Sequence, residues 1–348
     1  MGGQQSATVD PCACKVHIAV VYATSQESPQ MTKHELLPCA GTVHWGYFDG
    51  SLAPVLTIAP GDTVTIHSVS GGPEDLPPAG AKMTIRPEYA DIHDKVPRGP
   101  GPHLLTGPIA VRGAEAGDAL KIEILDVRLR DDWGFNCIKP LLGALPDATD
   151  ELRRIHLPID RSRQIVHTPW QIDIPAQPFF GIMGTAPPRS WGRQSSVVPR
   201  AFGGNIDNKL LTSGGTLYLP VFESGALFSI GDGHAAQGDG EVCLTAVETG
   251  LTGRFRIELL KCAHLSAPRA ETAAEYISMA FHEDLDEAAR NALRAMIEWI
   301  VETSDLTFED AYRLCSLVAD LRVTQLVNQH KGVHMTLPKW TGLIGRRG

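Results

Sequence analysis

Residues 216–248 read Thr216-Leu-Tyr-Leu-Pro-Val-Phe-Glu-Ser-Gly-Ala-Leu-Phe-Ser-Ile-Gly-Asp-Gly-His-Ala-Ala-Gln-Gly-Asp-Gly-Glu-Val-Cys-Leu-Thr-Ala-Val-Glu248. Apolar strand-like runs at either end enclose Gly231-Asp-Gly-His234 and Gly238-Asp-Gly-Glu241. The pattern predicts strands joined by a glycine-rich loop whose backbone can approach a small ligand closely. That loop carries Asp232, His234, Asp239 and Glu241, a concentration of metal-ligand and acid–base groups that points to an enzyme rather than a scaffold. In the second run, alternation puts Val242, Leu244, Ala246 and Glu248 on one face and Glu241, Cys243 and Thr245 on the other. Glu241 and Glu248 are therefore expected to diverge unless a bulge intervenes.

Outward from this stretch, Gly-Asp precedes a strand-like run again at Gly61-Asp62 and Gly117-Asp118. The pair is good turn chemistry, because glycine supplies positive φ and aspartate bonds its own backbone. The runs that follow, with Val64 and Ile66, then Leu120, Ile122 and Ile124, alternate with the period of half-buried strands. Residues 15–25 read as a first strand, 71–102 as a long loop, and 129–200 as irregular structure with short strands. After about residue 268 the period becomes helical. Leu285, Ala289, Ala292, Met296 and Ile300 form one stripe capped by Asp284 or Asp286, and a second helix from Thr307 carries Ala311, Leu314, Val318 and Leu321. Strands first and helices last predict an α+β, predominantly β chain, with residues 1–267 as a mostly-β catalytic region and 268–348 as a helical region packed on it.

The net charge of −9 and the absence of a basic cluster argue against nucleic acid as a partner. No stretch has the roughly 18 apolar residues a membrane span needs, and the polar start lacks a secretory pattern. The seven cysteines are scattered without a CxxC pair, which suits reduced thiols in the cytoplasm.

Several residues carry chemistry. His234 in its glycine-rich setting suits a divalent-metal ligand. After the close-approach pair Gly203-Gly204, Asn205 can donate to and accept from an amide, and Asp207 can bind a cation. Glu241 is the candidate general base, with Glu248 as runner-up, and Asp232 is a further acid in the centre. His44 lies among Trp45, Tyr47 and Phe48, which could form a dry pocket wall. His103 is a weaker candidate. As nucleophiles, Cys137, Cys243 and Ser229 lack a nucleophile-elbow pattern.

In order along the chain, His44-Trp-Gly-Tyr-Phe-Asp49, Thr106-Gly-Pro-Ile-Ala-Val-Arg-Gly-Ala114, Gly184-Thr-Ala-Pro187, Gly203-Gly-Asn-Ile-Asp207, Leu217-Tyr-Leu-Pro-Val221 and residues 225–242 resemble the acetamidase/formamidase family. Thr185 stands where the family usually has valine, and Asp320-Leu-Arg-Val-Thr-Gln325 is similar to its C-terminal helix. The resemblance implies a sandwich-like mostly-β fold, homo-oligomers, and hydrolysis of short aliphatic amides such as formamide or acetamide. Residues and resemblance together give one mechanistic expectation. A divalent metal, with Zn²⁺ favoured, is held by His44, Asp207 and His234, and Glu241, His234 and Asp232 form the catalytic centre. Asn205 and backbone N–H groups of the glycine-rich loop hold the oxyanion, Gly204 lets the backbone approach the substrate, and Trp45 limits pocket size. Two alternatives stand beside it: a non-metal carboxylate–lysine amidase using Lys209, and an amide-binding homologue without turnover.

Overall fold

A computed structural model describes residues 31–344, so the strand expected at 15–25 lies outside the described residues. Its largest sheet has nine strands, in the order Lys33–Leu36, Thr63–His67, Leu251–Leu260, Ala119–Leu129, Thr216–Pro220, Arg269–Glu271, Glu275–His282, Lys331–Pro338 and Asp320–Gln325. A second sheet runs Gly203–Asn205, Phe179–Gly184, Phe228–His234, Leu104–Val111 and Val43–Trp45, with Leu56–Ile58 also pairing Leu104–Val111. The alternation predicted after the first two Gly-Asp turns is realised, and its apolar set faces inward. Ile66, Ile122, Leu217 and Ile257 of the large sheet share one core with Ile109, Met183, Phe228 and Ile230 of the second. Two sheets closing on a common apolar layer make the sandwich. A third, four-stranded sheet (Asp173–Pro175, Ile165–His167, Arg153–Asp160, Trp133–Ile138) accounts for the short strands expected across 129–200.

The helices start where the capping residues place them. Asp284 accepts from Glu287 N to open the helix Leu285–Thr303, and Thr307 accepts from Asp310 N to open Phe308–Val318. Met296, Ile297 and Ile300 of the first helix and Ala311 and Cys315 of the second pack on Met335 and Leu337 of the large sheet. Residues 269–338 thus contribute both helices and four strands of that sheet.

Four local expectations are corrected. Asp320–Gln325 is a strand, not a helix, because Val323 and its neighbours ladder with Lys331–Pro338. The 71–102 segment contains a helix, Pro87–Lys95, which buries Tyr89 and Ile92. Gly231-Asp-Gly-His234 is the end of the strand Phe228–His234 rather than loop. Residues 241–247 form no regular strand, since positive φ at Gly240 (93°), Glu241 (45°) and Leu244 (112°) breaks the alternation.

Candidate active site

The strand Phe228–His234 lies between Phe179–Gly184 and Leu104–Val111, so its last residues emerge from the middle of the second sheet. Asp232 and His234 are two apart and share a face. The chain leaving Gly203–Asn205 brings Asp207 alongside, and both Ile206 N and Asp207 N donate to Gly181 O. Gly181 has to be glycine here, because a Cβ would overlap Asp207 Oδ1 and crowd the His234 ring. The irregular 238–248 segment then folds back. Glu248 bridges to both His234 and Phe135, which sets its carboxylate beside the imidazole.

Around His234 Nε2 stand Glu248 Oε2 at 3.2 Å, Asp232 Oδ2 at 3.4 Å and Asp207 Oδ1 at 3.9 Å. Ligand atoms of Asp207, His234 and Glu241 lie within 4.8 Å of one another, as do those of Asp232, His234 and Glu248. The imidazole is aimed by Gln237. Gln237 Nε2 donates to Asp207 O, so its Oε1 faces His234 Nδ1 at 2.9 Å and must accept from it. The Nε2 lone pair is thereby left pointing among carboxylates. His234 Nε2, Asp207 Oδ1, Glu241 Oε2 and Glu248 Oε2 are all buried without a hydrogen-bond partner. A lone pair and three acid oxygens converge here, and these groups could hold a cation. An imidazole with carboxylates is a donor set that suits a divalent ion, and Zn²⁺ accepts it.

Without that cation the groups titrate far from their usual ranges. Burial, with Asp232 nearby, pushes the Asp207 acid up to about 6 against the pull of His234. Burial likewise raises Glu248 to about 8, and burial with the Asp207 and Glu248 charges holds Glu241 well above the carboxylate range. Burial would also raise Asp232, but the His103 and His234 imidazoles outweigh it and hold Asp232 down. Burial opposes charging His234, yet Glu248 and Asp232 win and raise it well above 6.5.

The carboxylates Asp207, Asp232, Glu241 and Glu248 line a cavity of about 80 Å³ together with His103, Leu104, Phe135, Lys139, Asn205 and Leu244. Asn328 donates to Asp207 Oδ2 and steadies it. Asn205 spends its Nδ2 on Val197 O, and its Oδ1 is buried and unpartnered. The free oxygen can accept from an amide NH₂, while one of the two Nδ2 hydrogens is already spent on the backbone. Burial pushes the Cys137 thiol up, which keeps it protonated and poor as a nucleophile.

The structure thus gathers Asn205, Asp207, Asp232, His234 and Glu241 from the sequence reading, with Glu248 beside them. The other expected residues lie elsewhere. His44 Nε2 bonds Ser229 Oγ at 3.0 Å, the ring packs near Tyr47 and Phe48, and it belongs to neither ligand group. Trp45 is core, 2% exposed, with Nε1 on Pro102 O and Arg98 over its ring. Gly204 adopts φ 88° against the Phe48 and Phe202 rings, off the cavity wall. Lys209 pairs with Asp239 at 3.0 Å on the outer groove and does not line the inner cavity. His103, the weaker candidate, does reach the site, its Nε2 3.8 Å from Asp232 and its Nδ1 on Ser196 Oγ. Sequence reasoning misses Gln237, Asn328, Lys139 and Gly181. Of these only Gln237 carries a signal, three residues after His234.

A two-sheet β-sandwich with a buried imidazole–carboxylate centre is the class that fold and site define. A family model described as the Acetamidase/Formamidase family matches residues 47–195 and 191–339, and the chain belongs to that family. It is 31% identical over 191 residues to a formamidase of Methylophilus methylotrophus, covering 40% of this chain and 47% of that protein. To an acetamidase of Mycolicibacterium smegmatis it is 28% identical over 223 residues, covering 46% and 54%. The matches span about half the length of these curated relatives. The crystal structure of an acetamidase from Bacillus halodurans superposes with a TM-score of 0.77 at 30% identity, covering 89% of this chain and 99% of that one. Among the described residues no helix is long and apolar enough to cross a membrane.

Proposed function

We propose that the chain hydrolyses short primary aliphatic amides, formamide and acetamide first, releasing ammonia and the carboxylate. One observation carries this reading: the His234 Nε2 lone pair is aimed by Gln237 among acid oxygens that have no partner of their own, and the carboxylates Asp207, Asp232, Glu241 and Glu248 around it line a cavity of about 80 Å³. The names formamidase and acetamidase belong to the relatives, and they support the same chemistry here.

Asp207, Asp232, His234 and Glu248 would hold a divalent ion, with Zn²⁺ favoured. When bound, that ion supplies Lewis acidity and a water acidified to a pKa of roughly 7. Glu241 Oε2 faces the same space without a partner, and as a carboxylate kept ionised by the charge of a bound cation it would accept a proton and return it to the departing nitrogen. Asn205 Oδ1 accepts from the substrate NH₂ and fixes which end of the amide faces the acids. Lys139 places a cation on the same wall, where it balances charge growing on the substrate oxygen. Leu104, Phe135 and Leu244 keep bulk water out and strengthen these interactions. A cytoplasmic setting and self-association, with the exposed Phe308, Tyr312 and Leu317 of the second helix as contact, complete the reading.

The test is ammonia release from a panel of amides by protein stripped with a chelator, assayed for metal, and then given Zn²⁺. Activity is expected to leave with the metal and return with it. Full release from metal-free protein would remove the ion from the scheme. A metal-replete chain that binds amides but releases no ammonia would be an amide-binding homologue instead.

A further inference from the structure

Beside the inner cavity lies a larger groove of about 510 Å³, lined by Ile174, Pro175, Ala236, Val242, Ala246 and Val247 among others. The two spaces are separated by one strip of backbone. Glu241 and Thr245 border both, Val242 and Cys243 face the groove, and Leu244 alone faces the cavity. Leu244 holds its place at φ 112°, where a side chain with a Cβ is strained and glycine is not. The strip is clamped from several sides. Asn136 Nδ2 donates to Thr245 O at 2.9 Å and to Ala246 O at 3.1 Å, and Cys137 N donates to Thr245 Oγ1 at 2.9 Å. Ala144 N donates to Val242 O, and Gly240 is bracketed by Thr324 O and Leu326 N. Such bracing spends hydrogen bonds to keep a leucine where the backbone disfavours one.

We propose that Leu244 is the specificity-determining residue: its side chain fills one side of the inner cavity and confines substrates to one or two carbons, and without it the cavity gains room for longer or aromatic amides. The inference rests on the amide-hydrolase reading and names the wall that sets its size limit. Leu104 and Phe135 on the same cavity supply the apolar surface that a longer acyl chain would bury.

The experiment measures kcat/KM for formamide, acetamide, butyramide, hexanamide and phenylacetamide with wild type, Leu244→Gly, Leu244→Ala and Leu244→Phe. Glycine relieves the backbone strain while removing the side chain, and alanine is the second variant should glycine loosen the strip. The expected result is a rise in the ratio of hexanamide to formamide of at least about tenfold in both small variants, the size discrimination a few methylene contacts provide. Leu244→Phe should shift the acetamide to formamide ratio the other way. Wild type active on formamide, with variants losing all five amides in parallel, would overturn the partition and leave the hydrolase reading standing. A wild type that neither turns over nor binds any of the five would take both down.

Discussion

Asp62 and Asp118 at the Gly-Asp turns and Asp207, Asp232, Glu241 and Glu248 at the site are buried to the same degree, from 1% to 7% exposed. Exposed surface therefore does not tell them apart; the site acids lie deeper in the protein, and hydrogen bonding separates the two sets further. Asp62 accepts from Thr32 N, Ala59 N and His34 Nε2, all within 2.9 Å. Asp118 accepts from Glu115 N, Cys262 N and Lys261 Nζ, also within 2.9 Å. At both, burial favours the neutral acid, but the donors together outweigh it and hold the carboxyl below its usual range. At the site, Asp207, Glu241 and Glu248 each keep an oxygen that no protein group satisfies, and their acids are pushed up. The turns use a carboxylate to finish a fold; the site holds carboxylates unfinished, for something that is not protein.

The sharpest way to break this comparison is Glu241→Gln. A general base contributes about 10²–10⁴-fold, so kcat for formamide should fall by that much. The glutamine removes a charge that its neighbours resist, so thermal stability should hold or rise. A large loss of stability with modest loss of rate would place Glu241 with the turn carboxylates.

Metal removal tests the same contrast through pH. In metal-free protein Glu248 and Asp207 bind protons that the unfolded chain, with carboxyls near 4, has released. Native protein then holds more protons, so stability should fall as pH rises from about 4.5 to about 8. Bound metal replaces those protons and should flatten the slope, adding roughly 2.7 kcal/mol when the ion stands at a hundred times its Kd. Denaturant melts across this range, with chelator and with Zn²⁺, read the difference. Identical slopes would mean that the acids do not share a cation.

The turn half of the comparison is legible in the sequence and the site half only in part, for a physical reason. Gly-Asp turns and the caps Asp284 and Thr307 are local: the partners lie a few residues away or on the next strand, and the residue types announce them. His234, Asp232, Asp207 and Glu241 are visible because glycines frame them. Alternation puts Glu248 on the wrong face because Val242, Leu244 and Ala246 mimic a strand. Nothing in the pattern reveals that Glu241 and Leu244 adopt positive φ and pair with no neighbouring strand. Leu321 misleads similarly, falling one helical turn after Val318 although its backbone pairs with Met335. His44 draws a role from its aromatic neighbours, which in three dimensions are core around a Ser229 contact. Asn328 and Gly181 act through contacts 121 and 26 positions from Asp207, and no local pattern marks such a distance.

Asp118→Ala should show the opposite profile to Glu241→Gln. It removes the acceptor of Glu115 N and Cys262 N and frees Lys261, at a cost of about 1–1.5 kcal/mol for the hydrogen bonds lost at partly exposed donors. Activity per folded molecule should not change, because no cavity residue touches it. The smallest effect, and the finest discriminator, is Asp62→Asn followed into acid. Asp62 has a folded pKa below that of the unfolded chain, so its contribution is present above about pH 4 and is lost as pH falls through the lower, folded value. Stability should therefore rise with pH across that window, opposite in sign to the site carboxylates. Asparagine cannot titrate and keeps the shape of the side chain. The variant should therefore start less stable than wild type at neutral pH, by less than Asp118→Ala costs, and the two should converge in acid. Parallel curves for wild type and variant down to pH 3 would mean that Asp62 holds its turn by shape alone, and that the donors around it do not distinguish it from the acids of the site.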